Sequence, residues 1–419
     1  MKTIEKKYLV PFCLVTLLFL LWGMANNMTD TLLSAFKRIM SMTDTQTSLI
    51  QFAFYGSYFC FALPAALFIR KYSYKSGVIL GLVLYAAGAI LFFPASKAAS
   101  YAFYLIAIYI LAGGCSILET TANPYILAMG SPATATRRLN IAQAFNPLGS
   151  ITGILMSQFF ILSQLSSATA ADRAAMTDAD LSAMQAHELS AITGTYMTLG
   201  FVLLAIMVVM FLVRMPEGGD GATDSVGAAF KRLIKNKKYV FGVVAQFFYV
   251  GAQICVWSFT IRIVMKELGL LEADAATVYL ISIIGFSAAR FLFTWLMKWI
   301  QPSKLLLWAA AADIVLCLIV ALCGGTGVLC IVALIGVSFF MSLMFPTIYG
   351  IALENVGGDA KIGASGLIMA ILGGAVITPL QGIISDAAGI NISYLVPMAC
   401  FVVVLLFAIS VVRGKKSIA

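Results

Sequence analysis

Gly113 to Tyr125 reads G-G-C-S-I-L-E-T-T-A-N-P-Y and lies inside an apolar run from about Tyr101 to Gly130. About 20 apolar residues cross the hydrocarbon of a bilayer as a helix, so the run reads as a membrane span. Glu119 then sits near the bilayer midplane. A charged carboxylate there costs on the order of 3 kcal/mol on insertion scales, and more by other estimates. A chain carries such a group when it faces a water-filled cavity, has a partner or is protonated. Glu119 therefore reads as part of a solute site. Ser116 and Asn123 stand at i−3 and i+4 from it and complete one polar face. The competing reading is a neutral glutamic acid bonded to a neighbouring helix.

Composition puts the rest of the chain in the same class. Of 419 residues, 61% are hydrophobic and 11% charged, against a charged share of about 25% in soluble domains. The chain reads as an all-α, multi-spanning membrane protein whose surrounding partner is the lipid bilayer. The net charge of +9 invites a nucleic-acid reading. The basic residues sit in short loops between apolar runs, however, where they act as topology signals, and no nucleic-acid partner is expected. Eight cysteines (Cys13, Cys60, Cys115, Cys255, Cys317, Cys323, Cys330 and Cys400) lie in or beside apolar runs. None forms a C-x-x-C pair, so neither a disulfide framework nor a zinc site is expected. The single histidine, His187, lies in a polar loop. Nucleophile–histidine catalysis inside the membrane is thereby excluded, and the reading is a non-enzyme without metal or cofactor. The first apolar segment runs past Leu20 without a small-residue cleavage site and is expected to stay as the first helix.

Twelve spans are expected. The first six lie at roughly 9–35, 48–69, 76–95, 102–129, 139–163 and 191–213. The second six lie at roughly 239–262, 276–297, 304–323, 328–353, 362–384 and 393–412. The termini and even-numbered loops hold 20 of the 27 Lys and Arg, the odd-numbered loops six, and Arg290 lies inside a span. That bias places both termini in the cytoplasm. The outer loop from Gln164 to Ser190 is Ala/Ser/Asp-rich, and T-D-A-D from Thr177 suggests a short capped helix. The chain divides into a six-helix half at 1–214, a cytoplasmic linker at 215–238 and a second six-helix half at 239–419. Pro124 of the fourth span has a counterpart in Pro346 of the tenth, a period of roughly 222 residues. A repeat of this kind puts a solute site near the midplane between the halves.

Polar side chains cluster on few helices. The first span carries W-G-M-A-N-N-M-T-D from Trp22 to Asp30, and Trp22, Asn26, Asn27 and Asp30 share a side of the helix. A carboxylate at the interface is the alternative for Asp30, but lipid-facing helices do not collect amides. The fifth span carries Asn140, Gln143, Asn146 and Ser150 as a polar seam, with helix–helix adhesion as the alternative. The seventh repeats the pattern with Gln246, Tyr249, Gln253 and Trp257. Amides beside aromatic rings suit a sugar, since hydroxyls bond to amides and the C–H face of a pyranose stacks on a ring. Arg290 and Asp313 stand at matching depths in the eighth and ninth spans and are read as a structural ion pair. The inner loop P-A-A-L-F-I-R-K-Y-S-Y-K-S-G, Pro64 to Gly77, looks like a degenerate form of the major facilitator signature loop.

W-G-M-A-N-N-M-T-D, F-Y-G-S-Y-F…P-A, Y-K-S-G, L-E-T-T-A-N-P-Y, R-L-N-I-A-Q-A-F-N, Y-V-G-A-Q…W-S, F-P-T-I-Y and I-S-D-A-A-G resemble the fucose permease family. These are proton-coupled sugar symporters of the major facilitator superfamily, found in bacterial inner membranes. The likeness runs from the first span to the last. A related glucose/galactose branch usually carries Gln where this chain has Glu119, which favours the fucose branch. The resemblance implies that Asp30 and Glu119 are paired acids of proton coupling and sugar recognition. It puts Gln143 and Asn146 in the sugar cavity, with Trp22, Asn26 and Trp257. Asn27, Asn123 and Gln253 join the sugar-binding set on their spacing. The expected function is import of L-fucose or a related hexose or deoxyhexose with a proton, by alternating access, in a monomer. The rivals are a facilitative or sodium-coupled glucose/galactose transporter and a proton-driven drug exporter.

Overall fold

The computed structural model describes residues 4–40, 42, 44–98, 100–166, 168, 170–216, 225–322 and 324–416. At 30, 31, 33, 34, 37, 38, 44–48, 170, 171, 272, 273, 415 and 416 it describes the backbone alone. The first half runs through α1 (Leu9–Ile39), α2 (Asp44–Lys71), α3 (Tyr74–Ile90), α4 (Phe92–Lys97), α5 (Tyr101–Ala128), α6 (Ala135–Gln143), α7 (Asn146–Phe160), α8 (Ala170–Ala174) and α9 (Asp178–Leu212). After α10 (Val226–Lys235) come α11 (Lys237–Leu268), α12 (Glu272–Leu296), α13 (Pro302–Leu322), α14 (Val328–Met341) and α15 (Met344–Ala352). The chain ends with α16 (Ala360–Met369), α17 (Gly373–Ala388) and α18 (Leu395–Lys416). Among the described residues twelve helical stretches are long and apolar enough to cross a membrane. The chain is a multi-pass membrane protein of two six-helix halves.

The structure departs from the sequence reading at three places. Thr177 does cap a helix, its hydroxyl accepting from the Asp180 amide. The helix is not short, because no proline interrupts Asp178 to Leu212 and the capped turn runs straight into the sixth span. The fifth span is broken between Gln143 and Asn146, just before Pro147, and the tenth between Met341 and Met344, just before Pro346. The eleventh passes through a 3₁₀ turn at Ala370–Leu372. In the fifth and tenth, proline removes a backbone donor and clashes with the preceding turn. Such breaks survive inside a bilayer only where protein or a water-lined cavity surrounds them.

The halves repeat one packing plan. In the first, α1 lies against α7, and α5 against α2 and α3; in the second, α11 lies against α17, and α14 against α12 and α13. Gly149 and Gly373 occupy matching points of this plan. A Cβ on Gly149 would stand 1.9 Å from the Leu20 carbonyl oxygen, and one on Gly373 would stand 2.0 Å from that of Phe247. Only glycine lets the two backbones come this close, and small residues are the usual means of close helix contact in membranes.

Contacts between the halves concentrate on the Lys/Arg-rich side, where α16 lies against α2 and α5, and α15 against α6. The Asn140 amide donates across the divide to the Thr347 hydroxyl at 3.2 Å, and the Lys361 ammonium stands 4.7 Å over the Tyr74 ring. Below them the Arg138 guanidinium donates to the Ile126 and Leu127 carbonyls at 2.7 and 2.5 Å. Those are carbonyls of the last turn of α5, Ile126 also accepting from the Met129 amide, and a cation meets them there, as the helix dipole favours.

Candidate functional site

With the basic side closed, the halves enclose a cavity of about 400 Å³, within the range of roughly 300–1,000 Å³ typical of small-molecule sites. Its mouth is on the opposite side, where Gln51 near the start of α2, Ile261 near the end of α11 and Tyr279 near the start of α12 line it. The two walls differ. The first half supplies Glu119 and the amides of Asn26, Asn27, Gln143 and Asn146, while the second supplies mainly Val250, Ile254, Trp257, Phe345 and Ile371. The second also carries Gln253, Ser258, Tyr279 and Arg290, so a wall richer in amides faces one richer in apolar groups, which suits a solute with both hydroxyls and C–H faces.

The polar wall is built by contacts between helices. Trp22 is 1% exposed and packs on Phe19 at 4.1 Å between ring centroids. Asn27 donates to the Gly23 carbonyl at 3.1 Å. Among the described residues the buried Asn26 side-chain oxygen has no hydrogen-bond partner, so it is an acceptor available to a solute hydroxyl. Asn146 donates to the Phe19 carbonyl at 3.2 Å, which ties α7 to α1. Glu119 is 6% exposed and lines the cavity beside Tyr58. Among the described residues it has no ion-pair partner. Across the cavity the Trp257 indole N–H also has no partner among the described residues, and its ring meets Phe286 edge-on at 5.0 Å. Gln253, one turn earlier on α11, lines the same wall.

Of the residues expected at the site, Trp22, Asn26, Asn27, Glu119, Gln143, Asn146, Gln253 and Trp257 line one cavity. Asp30 continues α1 one turn past Asn26, and its side chain lies outside the described residues. Asn123 is a correction. It is fully buried and stands behind the wall, its side-chain oxygen accepting from the Gln143 amide at 2.9 Å, its own amide donating to the Glu119 carbonyl at 2.9 Å. The third member of that face, Ser116, donates to the Tyr58 carbonyl and joins α5 to α2. Gln246 and Tyr249 are likewise buried behind the wall, Tyr249 donating to the Met341 carbonyl at 3.0 Å.

The ion pair expected between Arg290 and Asp313 does not form. Arg290 donates through Nε to the Ser342 carbonyl at 2.6 Å and through Nη1 to the Gln143 carbonyl at 2.9 Å, with its guanidinium 4.7 Å over the Phe286 ring. Both carboxyl oxygens of Asp313 are buried without a hydrogen-bond partner among the described residues. Matching depth on two helices fixed neither the direction of the side chains nor the existence of better acceptors. Sequence reasoning also passed over the α2 contribution, Gln51, Phe54, Tyr55 and Tyr58. Its signal was the spacing of three and four, which places them on one helix face, but ring hydroxyls amid apolar residues read as core.

A membrane-spanning helix pair of bundles around a midplane cavity, closed on one side and open on the other, defines a solute transporter. Residues 15–379 match the family model described as Major Facilitator Superfamily, and the chain belongs to that superfamily, in its fucose permease family. It is 42% identical to the L-fucose-proton symporter of Haemophilus influenzae over 97% of each chain. It is 32% identical to a glucose/galactose transporter of Brucella abortus over 99% of this chain and 96% of the other. FucP, the fucose:proton symporter of Escherichia coli, solved in the outward conformation, superposes with a TM-score of 0.90 at 37% identity, over 97% of this chain and 99% of its own.

Proposed function

We propose that the protein imports L-fucose, or a closely related hexose or deoxyhexose, together with a proton. Its setting is a bacterial inner membrane, with both termini in the cytoplasm and the monomer as the working unit. The halves are 1–214 and 239–419, joined by the linker 215–238. The observation that carries the reading is Glu119, an acid on the wall of a sugar-sized cavity with amides around it and, among the described residues, no cation paired to it. A carboxyl in that position is cheap to enclose only as the neutral acid. From the outward-open state Asp30 or Glu119 takes a proton, and the sugar sets its hydroxyls among Asn26, Asn27, Gln143 and Asn146. Trp257 covers its C–H face. Sugar and neutral acid together let the halves rock, and both cargoes leave on the basic side.

Fucose-induced alkalinisation of a weakly buffered cell suspension tests the coupling. Glu119→Gln should bind and exchange fucose yet fail to concentrate it, and Asp30→Asn should abolish uptake driven by a pH gradient. Accumulation that survives in both variants would remove the acids from the mechanism. The second reading, glucose or galactose as cargo, is favoured by the 32% identity to a glucose/galactose transporter. Competition of unlabelled sugars against labelled fucose at two pH values separates the two. Glucose or galactose displacing fucose at equal concentration would favour the second reading.

A further inference from the structure

Arg290 bonds two backbone carbonyls, and both have the same history. A helical carbonyl accepts from the amide four residues on. The acceptor of Nη1 is Gln143, whose partner position is Pro147, and the acceptor of Nε is Ser342, whose partner position is Pro346. Proline has no N–H, so each carbonyl is released by the sequence itself. The helical ladder resumes directly afterwards, with the Gly149 amide on the Phe145 carbonyl and the Thr347 amide on the Leu343 carbonyl. One guanidinium therefore supplies the donors that two prolines withhold.

The two carbonyls belong to different halves. Ser342 lies at the break before α15, in the same half as Arg290, while Gln143 closes α6 in the other half. Arg290 is 3% exposed, and it stands on the inner part of α12, six residues before Leu296. The contact thus lies in the floor that separates the cavity from the basic side. Opening that side must pull α6 away from α12 and break the bond to Gln143.

We infer that Arg290 is a latch between the halves. It is anchored to the Ser342 carbonyl and closes the floor of the outward-open cavity by holding the proline-released carbonyl of Gln143. Gln143 also presents its side chain to the cavity, so the residue that meets the solute is the residue the latch grips. Arg290 is a positioning residue in this scheme and not a carrier of the proton. The inference rests on the alternating-access part of the reading above and is independent of which sugar or ion is carried.

The test uses the distance between spin labels at Ala133→Cys and Lys304→Cys, on the basic sides of the two halves. Cys13, Cys60 and Cys323 are changed to Ala, the remaining five cysteines being buried. It is read without sugar and without a pH gradient, so a wrong cargo assignment leaves it unaffected. Losing a charge-assisted hydrogen bond should shift the outward-to-inward ratio by about tenfold or more. Arg290→Met should lengthen the distance, and Arg290→Lys should do so too, because a single ammonium cannot span both carbonyls. Pro147→Ala returns an amide to the Gln143 carbonyl and should act in the same direction, with little added by combining it with Arg290→Met. If Arg290→Met does not fold, Pro147→Ala decides alone, since it leaves the guanidinium in place. A distance distribution like that of the parent protein in Pro147→Ala, or full additivity of the two changes, overturns the latch.

Discussion

Asn123 and Asp313 are both wholly buried, and only one of them is answered by its neighbours. Asn123 holds the Gln143 amide at 2.9 Å, so it sets the direction in which Gln143 meets a solute. A neutral hydrogen bond of this kind contributes about 0.5–1.5 kcal/mol. Asn123→Ala should therefore weaken fucose binding by roughly twofold to tenfold. The same change made on Gln143→Ala should add almost nothing, because its effect passes through that amide. Isothermal titration of the four proteins of this cycle checks it, and additive losses would mean that Asn123 acts elsewhere. Asp313 differs in that both its oxygens lack a partner among the described residues. A buried polar group without a hydrogen bond costs roughly 1–3 kcal/mol. Asp313→Val, close in size, should raise the thermal midpoint and leave fucose affinity unchanged. A lower midpoint would show that the carboxyl is stabilised by something bound to it. The sequence read these two residues the wrong way round. Asn123 looked like a ligand because its i+4 spacing from Glu119 is real, but a shared helix face can point at another helix. Asp313 looked paired because burying a lone acid is unfavourable, and that expectation says nothing about where the nearest cation has already turned.

Helices settle where the legible residues end up. The amide seam of the fifth span was readable because its spacing holds across the break at Ala144 and Phe145, and Gln143, Asn146 and Ser150 all reach the cavity. The apolar wall was less readable, since Val250, Ile254, Phe345 and Ile371 are of types that fill any membrane core. What brings the two polar stripes together is the approach of α1 and α7. With a Cβ at Gly149 only 1.9 Å from the Leu20 oxygen, Gly149→Ala must push these helices apart. Trp22 and Asn26 then lose register with Gln143 and Asn146. The expected result is lower folded yield in detergent and loss of fucose binding in what remains. Gly194, in α9, has open space where its Cβ would go. Gly194→Ala should be harmless or stabilising by up to about 1 kcal/mol, which separates crowding from a general intolerance of change. The segment before α9 is a second case. Arg173 was counted in the sequence only as a topology signal, yet it pairs with Glu188 through contacts of 2.9 and 2.6 Å, both side chains nearly inaccessible. The pair fastens α8 onto the N-terminal part of α9. Removing one member of a buried pair costs about 3–5 kcal/mol. Arg173→Met alone should therefore expose the 164–178 segment to limited proteolysis. Arg173→Met with Glu188→Leu should protect it again, and equal cleavage of both would count against the pair as the fastening.

At the scale of the whole molecule, the order of helices and the midplane cavity were legible because hydrophobic length and basic-loop bias act on the entire chain. The closed side was not, because it depends on contacts such as Asn140 with Thr347 across the halves that no local pattern announces. What the two halves accomplish together is an exchange of free energy between a proton and a sugar. A neutral sugar carried with one proton moves one positive charge per cycle. One charge crossing 100 mV releases about 2.3 kcal/mol, which supports roughly fifty-fold accumulation. In proteoliposomes with equal pH on both sides and a potassium diffusion potential of about 100 mV, negative inside, labelled fucose should therefore rise to roughly fifty times its outside concentration. Adding a protonophore at zero potential should return it to unity, and replacing sodium by choline should change nothing. Glu119→Gln should equalise fucose across the membrane without passing unity, because its amide enters and leaves the occluded state carrying no proton. A level that follows the sodium gradient would assign the coupling ion to sodium. One that stays at unity in the unmodified protein would make the chain a facilitator, with Glu119 a hydrogen-bonding group for the sugar alone.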